Sequence, residues 1–167
     1  ARNDNLKIVK DKFVEEEYAV AVRKGNKELL DSINKTIREA RENGTYKALV
    51  NAFISVEGNI QLPETKEAET DEYITMGTNA AFPPFEYTCR DDGKIIGFDI
   101  SLGQLIADGC GKKLKILDKP FDSLIPALQT GDVDFIAAGM SATEDRRQVV
   151  DFSEPYYKTT QVIITRK

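Results

Sequence analysis

The sequence predicts an α/β fold, with a mostly parallel five-stranded sheet covered by helices on both faces. Three observations carry this. Five runs have strand length and apolar content: Tyr18–Val22, Tyr73–Met76, Leu114–Leu117, Phe135–Ala138 and Gln161–Thr165. Segments of helical period alternate with them. Two of the strand ends run into short polar loops containing glycine, Gly77-Thr78-Asn79 and Gly139-Met140-Ser141, the position where ligands of such sheets bind.

The elements follow in order. Lys24-Gly25-Asn26 breaks the first strand, and Asn26 is suited to cap a helix with Leu29, Leu30, Ile33, Ile37 and Ala40 on one face. Gly44 ends that helix, and a shorter one spans Tyr46 to Phe53. Residues 58–71 are polar and acidic and read as a linker between a block at 1–57 and a block at 72–167. Two prolines and a glycine make Gly77–Phe85 a loop, and Asp91-Asp92-Gly93 is a hairpin-type turn. Asp99 is expected to cap a helix bearing Leu102, Leu105 and Ile106. Asp122 is expected to cap another, with Pro126 in its first turn and Gly131 at its end. Thr143 caps a helix through Val150, with Glu144 and Asp145 suited to its first turn.

Composition narrows the function. With 41% hydrophobic residues, 167 residues suffice for one domain with a real core. A net charge of −5 argues against a nucleic-acid partner, which calls for a basic patch. The absence of histidine removes His-based triads and His-ligated zinc. The sequence shows no apolar run of bilayer-spanning length and no signal-peptide pattern. Cys110 has the spacing of a core residue on the helix of Leu102 and Ile106, and spacing alone places no disulfide between it and Cys89. The acidic clusters Glu15–Glu17, Asp91-Asp92 and Glu144-Asp145 match no calcium-loop or glycosidase spacing and read as solvated faces.

The sharpest chemical feature is Ser141 followed by Arg146. A guanidinium in the first turn of a helix, beside unpaired amide groups, forms a fork for a planar carboxylate. The competing reading is a surface ion pair of Arg146 with Glu144 or Asp145. Phe82 and Phe121 lie in loops after strands, where rings flank a ligand's aliphatic stem or ammonium; Phe85 reads as core. Asn79 either touches a ligand side chain or satisfies its own loop backbone.

These residues carry a resemblance. Gly77-Thr-Asn-Ala-Ala-Phe-Pro-Pro-Phe-Glu-Tyr87, Gly97-Phe-Asp-Ile100, Phe121-Asp-Ser-Leu-Ile-Pro-Ala-Leu-Gln129, Asp134-Phe-Ile-Ala-Ala-Gly-Met-Ser-Ala-Thr-Glu-Asp-Arg146 and Asp151-Phe-Ser-Glu-Pro-Tyr-Tyr157 resemble the N-terminal half of the polar amino-acid-binding proteins of ABC importers. Glu17-Tyr-Ala-Val-Ala-Val-Arg-Lys-Gly25 and Leu29–Phe53, with Arg41-Glu-Asn-Gly-Thr-Tyr46, resemble that family's C-terminal end. The family's end thus precedes its beginning. The resemblance implies one flavodoxin-like, three-layer lobe of a type II solute-binding protein in circularly permuted order, with the second lobe falling between Lys167 and Ala1.

By the same resemblance, Arg146 pairs with the ligand α-carboxylate, Ser141 and the Gly139 carbonyl help hold carboxylate and α-amine, and Phe82 and Phe121 flank the side chain. Asn79 stands where some relatives have Asp, which disfavours a strongly cationic ligand. A second-lobe Asp that meets the α-amine has no counterpart. The expectation is a non-enzymatic, cofactor-free amino-acid binder, extracytoplasmic in its parent context and serving importer membrane subunits. Hinge closure of two lobes supplies most of the ligand burial in the family, so one lobe is expected to bind weakly or undetectably. Hinge strands at 16–24 and 160–167 would offer edges for a homodimer. Two other readings remain: a lobe without ligand, or a dehydratase-like enzyme on the same fold, for which Glu86 is the only carboxylate near the loops.

Overall fold

The computed structural model describes residues 5–55 and 68–167, so most of the expected linker, 58–67, lies outside the described residues. In chain order the elements are β1 (Leu6–Tyr18), β2 (Ala21–Arg23), α1 (Lys27–Glu42), α2 (Thr45–Phe53), β3 (Tyr73–Thr78), β4 (Ala81–Phe82), β5 (Glu86–Thr88), β6 (Ile95–Ile96), α3 (Phe98–Gly109), β7 (Lys113–Asp118), α4 (Leu124–Thr130), β8 (Phe135–Ile136), α5 (Glu144–Val149), β9 (Val150–Phe152) and β10 (Tyr157–Arg166).

A five-stranded sheet of order β7-β3-β8-β2-β9 forms the centre. β3 is parallel to β7 and β8, whereas β2 is antiparallel to both its neighbours, so four of the five strands point one way. The run Tyr18–Val22 explains the layering. Successive side chains of an extended chain point to opposite faces. Tyr18, Val20 and Val22 join the core beneath α1, α2 and α3, with Ile33, Ile37, Leu49, Met76 and Leu102. Ala19 and Ala21 join the core on the α4 side, with Leu124, Leu128, Ile136 and Met140. Both faces are covered, so the run is apolar throughout and does not alternate. α3 lies close on β3, because a Cβ at Gly103 would stand 2.4 Å from Met76 Sδ.

Several local details differ from expectation. The α3 N-cap is Gly97, and Asp99 turns into the protein without capping the helix. Asp122 makes no cap either; Phe121–Ser123 form a single 3-10 turn that leads into α4. β3 runs on through Thr78, and within the expected loop Ala81–Phe82 pair with Glu86–Tyr87. The last helix stops at Val149. Val150 then becomes extended and pairs with Arg23, because Val150 and Phe152 are buried by joining the sheet edge. Neither cysteine is bonded to the other; Cys110 Sγ lies 3.4 Å from Ser32 Oγ.

β1 and β10 form a separate antiparallel ribbon from Leu6↔Arg166 to Tyr18↔Tyr157, with an irregularity between Val9 and Val14. Of the two stretches expected to offer unpaired edges, 160–166 pairs along one edge with Leu6–Glu15, whereas within 16–24 Glu16–Tyr18 pair with Tyr157–Thr159 and Ala21–Arg23 lie between β8 and β9. The Lys167 amide donates to Asn5 O at 2.9 Å, so the ends of the ribbon lie side by side.

Core packing between α1 and α3 makes a direct prediction. Ile37 is fully buried, so Ile37→Ala should cost about 2–5 kcal/mol. Lys35, exposed on the same helix and paired with Glu39 at 3.8 Å, should tolerate Ala within about 0.5 kcal/mol. Urea unfolding checks both, with unchanged m-values expected. Equal losses at the two positions would refute the assigned helix face.

Candidate functional site

The loops after β3, β7 and β8 emerge at the carboxyl ends of parallel strands, on one edge of the sheet. Asn79 ties two of them together. Its Nδ2 donates to Lys119 O at 3.0 Å, the Ala80 amide donates to Asp118 Oδ1 at 2.9 Å, and the Lys119 amide donates to Thr78 O at 3.0 Å. The amide group of Asn79 thus serves the loop backbone, and among the described residues no donor reaches its Oδ1.

Phe121 follows directly and lies half-buried under Arg146, whose Cζ stands 5.2 Å from the ring centroid. Arg146 Nη1 also donates to Ser141 O at 2.9 Å. The competing ion pair with Glu144 or Asp145 does not form; among the described residues Arg146 has no acidic partner. Thr143 is the N-cap of α5, its Oγ1 accepting from the Arg146 amide at 3.4 Å. With six residues, α5 is too short to form an anion site by itself, and the guanidinium carries the positive charge here.

On the other side of the Gly139 turn, Phe82 is 43% exposed and stacks on Phe85 with centroids 5.6 Å apart. Phe85 is the buried base of this stack, edge-on to Tyr18 and Tyr157. Gly139 has φ +50, and a Cβ there would meet the Phe82 ring at 2.9 Å. Both facts call for glycine. Its carbonyl receives no donor among the described residues. The six expected residues therefore form a connected series: Phe82 against Gly139, Gly139 leading to Ser141, Ser141 O to Arg146, Arg146 over Phe121, and Asn79 bracing the Phe121 loop. What they form is an open, partly aromatic face with one unpaired cation.

Beneath that face lies a group the sequence reading missed. Asp99 and Glu86 are buried, Glu86 to 1% exposure, so Glu86 is not presented to the open face. Asp99 Oδ2 accepts from the Gly139 amide at 2.7 Å and from the Tyr156 hydroxyl at 2.6 Å. Asp99 Oδ1 and Glu86 Oε2 are buried without a hydrogen-bond partner among the described residues. The two carboxyls face one another. Two carboxylates cannot bond each other, but one proton between them satisfies both oxygens. Burial pushes Glu86 up to about 10, with the Asp99 charge adding to the effect. Burial also raises Asp99, to about 6, while hydrogen bonds from Tyr156, Gly139 and Glu86 oppose the rise. Asp99 already accepts two hydrogen bonds and Glu86 Oε2 accepts none, so Glu86 is the partner that keeps the proton. A signal was present: both acids sit between large apolar residues, in Phe85-Glu86-Tyr87 and Phe98-Asp99-Ile100.

The pair links stability to pH. Glu86 titrates near 4.5 in an unfolded chain and near 10 here, so between these values the folded state holds a proton that the unfolded chain releases. Stability then falls as pH rises, by at most about 1.4 kcal/mol per pH unit for this one proton. Glu86→Gln, which keeps a donor but cannot ionise, should gain on the parent steadily from about pH 5 to about pH 9. Parallel urea-stability profiles across that range would refute the shared proton.

Residues 74–167 match the model of the bacterial extracellular solute-binding proteins, family 3. The chain is similar to a probable histidine-binding protein of Neisseria gonorrhoeae, 40% identical over 100 residues, 60% of this chain and 37% of that one. It is also similar to the arginine-binding extracellular protein ArtP of Bacillus subtilis, 38% identical over 94 residues, 56% of this chain and 36% of that one. The chain thus spans less than half the length of these relatives. Among solved structures, the arginine-bound form of domain 1 from TmArgBP is 43% identical at a TM-score of 0.50, covering 57% of this chain and 80% of that one. The arginine-bound form of truncated ArgBP from T. maritima is 48% identical at a TM-score of 0.50, covering 51% and 40%. By the extent of its family match, the chain belongs to the bacterial extracellular solute-binding proteins of family 3.

Proposed function

We propose that this chain binds a polar amino acid on the open face between Phe82 and Phe121. The observation that carries the proposal is Arg146: a half-buried guanidinium held over Phe121 and by Ser141 O, with no acidic partner among the described residues. Such a group is suited to take the α-carboxylate in a charge-assisted pair. In this reading the Gly139 carbonyl accepts from the α-ammonium and Ser141 donates to the second carboxylate oxygen. Phe82 and Phe121 flank the side chain. The Asn79 Oδ1 is an acceptor for a guanidinium or amide group at the far end, which keeps arginine within the ligand class despite the neutral residue.

In this reading the chain is one ligand-gripping lobe, non-enzymatic, with its two segments in permuted order. The block at 1–57 supplies β1, the inner sheet strand β2 and the helices α1 and α2, and the block at 72–167 supplies the remainder. The parent context is a binding protein outside the cytoplasm that serves the membrane subunits of an ABC importer. Binding by one lobe alone is weak, because closure of a second lobe over the ligand supplies most of the burial. The arginine-bound form of domain 1 from TmArgBP favours weak binding over none.

Titration calorimetry with L-arginine, L-histidine and L-glutamine tests this. The expected dissociation constant is above about 10 μM. Arg146→Ala should weaken binding by roughly 10–100-fold, the loss of one charge-assisted pair. Unchanged affinity in Arg146→Ala would refute the carboxylate clamp, and no heat from the parent at millimolar ligand would refute amino-acid binding.

A further inference from the structure

The Gly139 amide lies at the ligand face yet is bound from below by a fully buried carboxylate. Asp99 is in the first turn of α3, but its Oδ2 serves a residue 40 positions away and not its own helix. Two carboxyls with only hydroxyl and amide donors are an expensive choice for this interior, since an apolar pair of similar size avoids the desolvation. The expense is justified where a fixed acceptor is needed, and the acceptor here meets one amide of the ligand loop.

We propose that Asp99, its carboxylate held by Tyr156 and Glu86, is a positioning residue for amino-acid binding that clamps the Gly139 amide and so sets the turn from Gly139 to Arg146. The proposal rests on the binding face described above and assigns its support. The start of the turn is pinned on two sides, and further along the Ala142 amide donates to Glu17 O at 3.0 Å. Asp99 Oδ2 takes the Gly139 amide at 2.7 Å, and the Ala19 amide donates to Met140 O at 3.1 Å. Between these pins Gly139 adopts φ +50, with the Phe82 ring against it. Two residues on, Ser141 O holds the Arg146 guanidinium. Release of the first pin lets Gly139 relax against the Phe82 ring, and the change reaches Arg146 through Ser141 O.

The groups around Asp99 set its charge. Glu86 comes from β5, Tyr156 from the segment before β10 and Tyr18 from the end of β1. Tyr157 and Glu16 act on Tyr18 in turn. No cation acts on the carboxyl pair among the described residues. Asp99 therefore relies on three hydrogen bonds to stay ionised, and acid weakens the clamp by protonating it, because a neutral carboxyl is the poorer acceptor.

The test follows the Gly139 amide in ¹H–¹⁵N spectra of the 167-residue protein from about pH 8 to about pH 4, and titrates L-arginine in parallel. In the parent the Gly139 proton should move upfield as Asp99 takes up its proton. The resonance should lose that titration in Asp99→Asn, and arginine affinity should fall about tenfold. Tyr156→Phe removes one donor from the carboxylate and should move the Gly139 midpoint to higher pH, which gives a readout if Asp99→Asn does not fold. A Gly139 resonance flat with pH, or a folded Asp99→Asn that binds arginine like the parent, overturns the clamp. An unmoved midpoint in Tyr156→Phe also overturns it. A titrating Gly139 resonance in a parent that binds no amino acid supports the clamp and overturns the ligand reading instead.

Discussion

Residues 17–23 are hydrogen-bonded along both edges by segments distant in the chain. The Ala142 amide donates to Glu17 O, Ala19 to Met140 O, Ser153 to Val20 O and Tyr156 to Tyr18 O, while β2 lies between β8 and β9. All side chains from Tyr18 to Val22 are at most 5% exposed. A backbone buried so deeply has to be paired on both sides, because an orphaned amide or carbonyl there costs more than a hydrogen bond returns. The strand therefore dictates where its partners go. It joins the first block to the second, sets the three layers, and holds the Met140–Ala142 segment that presents Arg146.

The candidate site is built on separated charges. Arg146 stands above the Gly139 turn with no anion, and Asp99 stands below it with no cation. Neither is neutralised by an ion pair, and each is held by dipoles: a carbonyl and a ring for Arg146, a hydroxyl and an amide for Asp99. Preorganised dipoles leave the guanidinium oriented but unspent. A surface ion pair with Glu144 or Asp145 would have consumed it. The local geometry avoids this because the Arg146 side chain returns to Ser141 O and Phe121, while both acids stay exposed.

Much of the fold was legible because its signals are local. The Asn26 cap, the buried face at Ile33, Ile37 and Ala40, and the Gly131 terminus depend on nearby residues and appear as expected. The errors arose where distant partners decided. Asp99 has the residue type and place of an N-terminal cap, yet it serves Gly139 and Tyr156. Val150 continues a helical pattern, yet the edge of β2 draws it into a strand. Leu6–Glu17 carries mixed charges and no strand pattern that was recognised, and its pairing with β10 supplies the missing reason. At the site, the roster of residues was readable from loop position and motif. The stacking of Phe82 on Phe85 and the engagement of Asn79 with Lys119 were not.

By itself the sequence determined the α/β class, the helix and strand inventory of the core, and the family to which residues 74–167 belong, because apolar periodicity and motif order are properties of the chain. Only the tertiary structure decided how charge is handled. It left Arg146 free of its acidic neighbours, buried Glu86 against Asp99, and gave the Gly139 amide a carboxylate. The physical reason is that a side chain's charge and partner depend on desolvation and on groups brought close by folding. Spacing along the chain records neither.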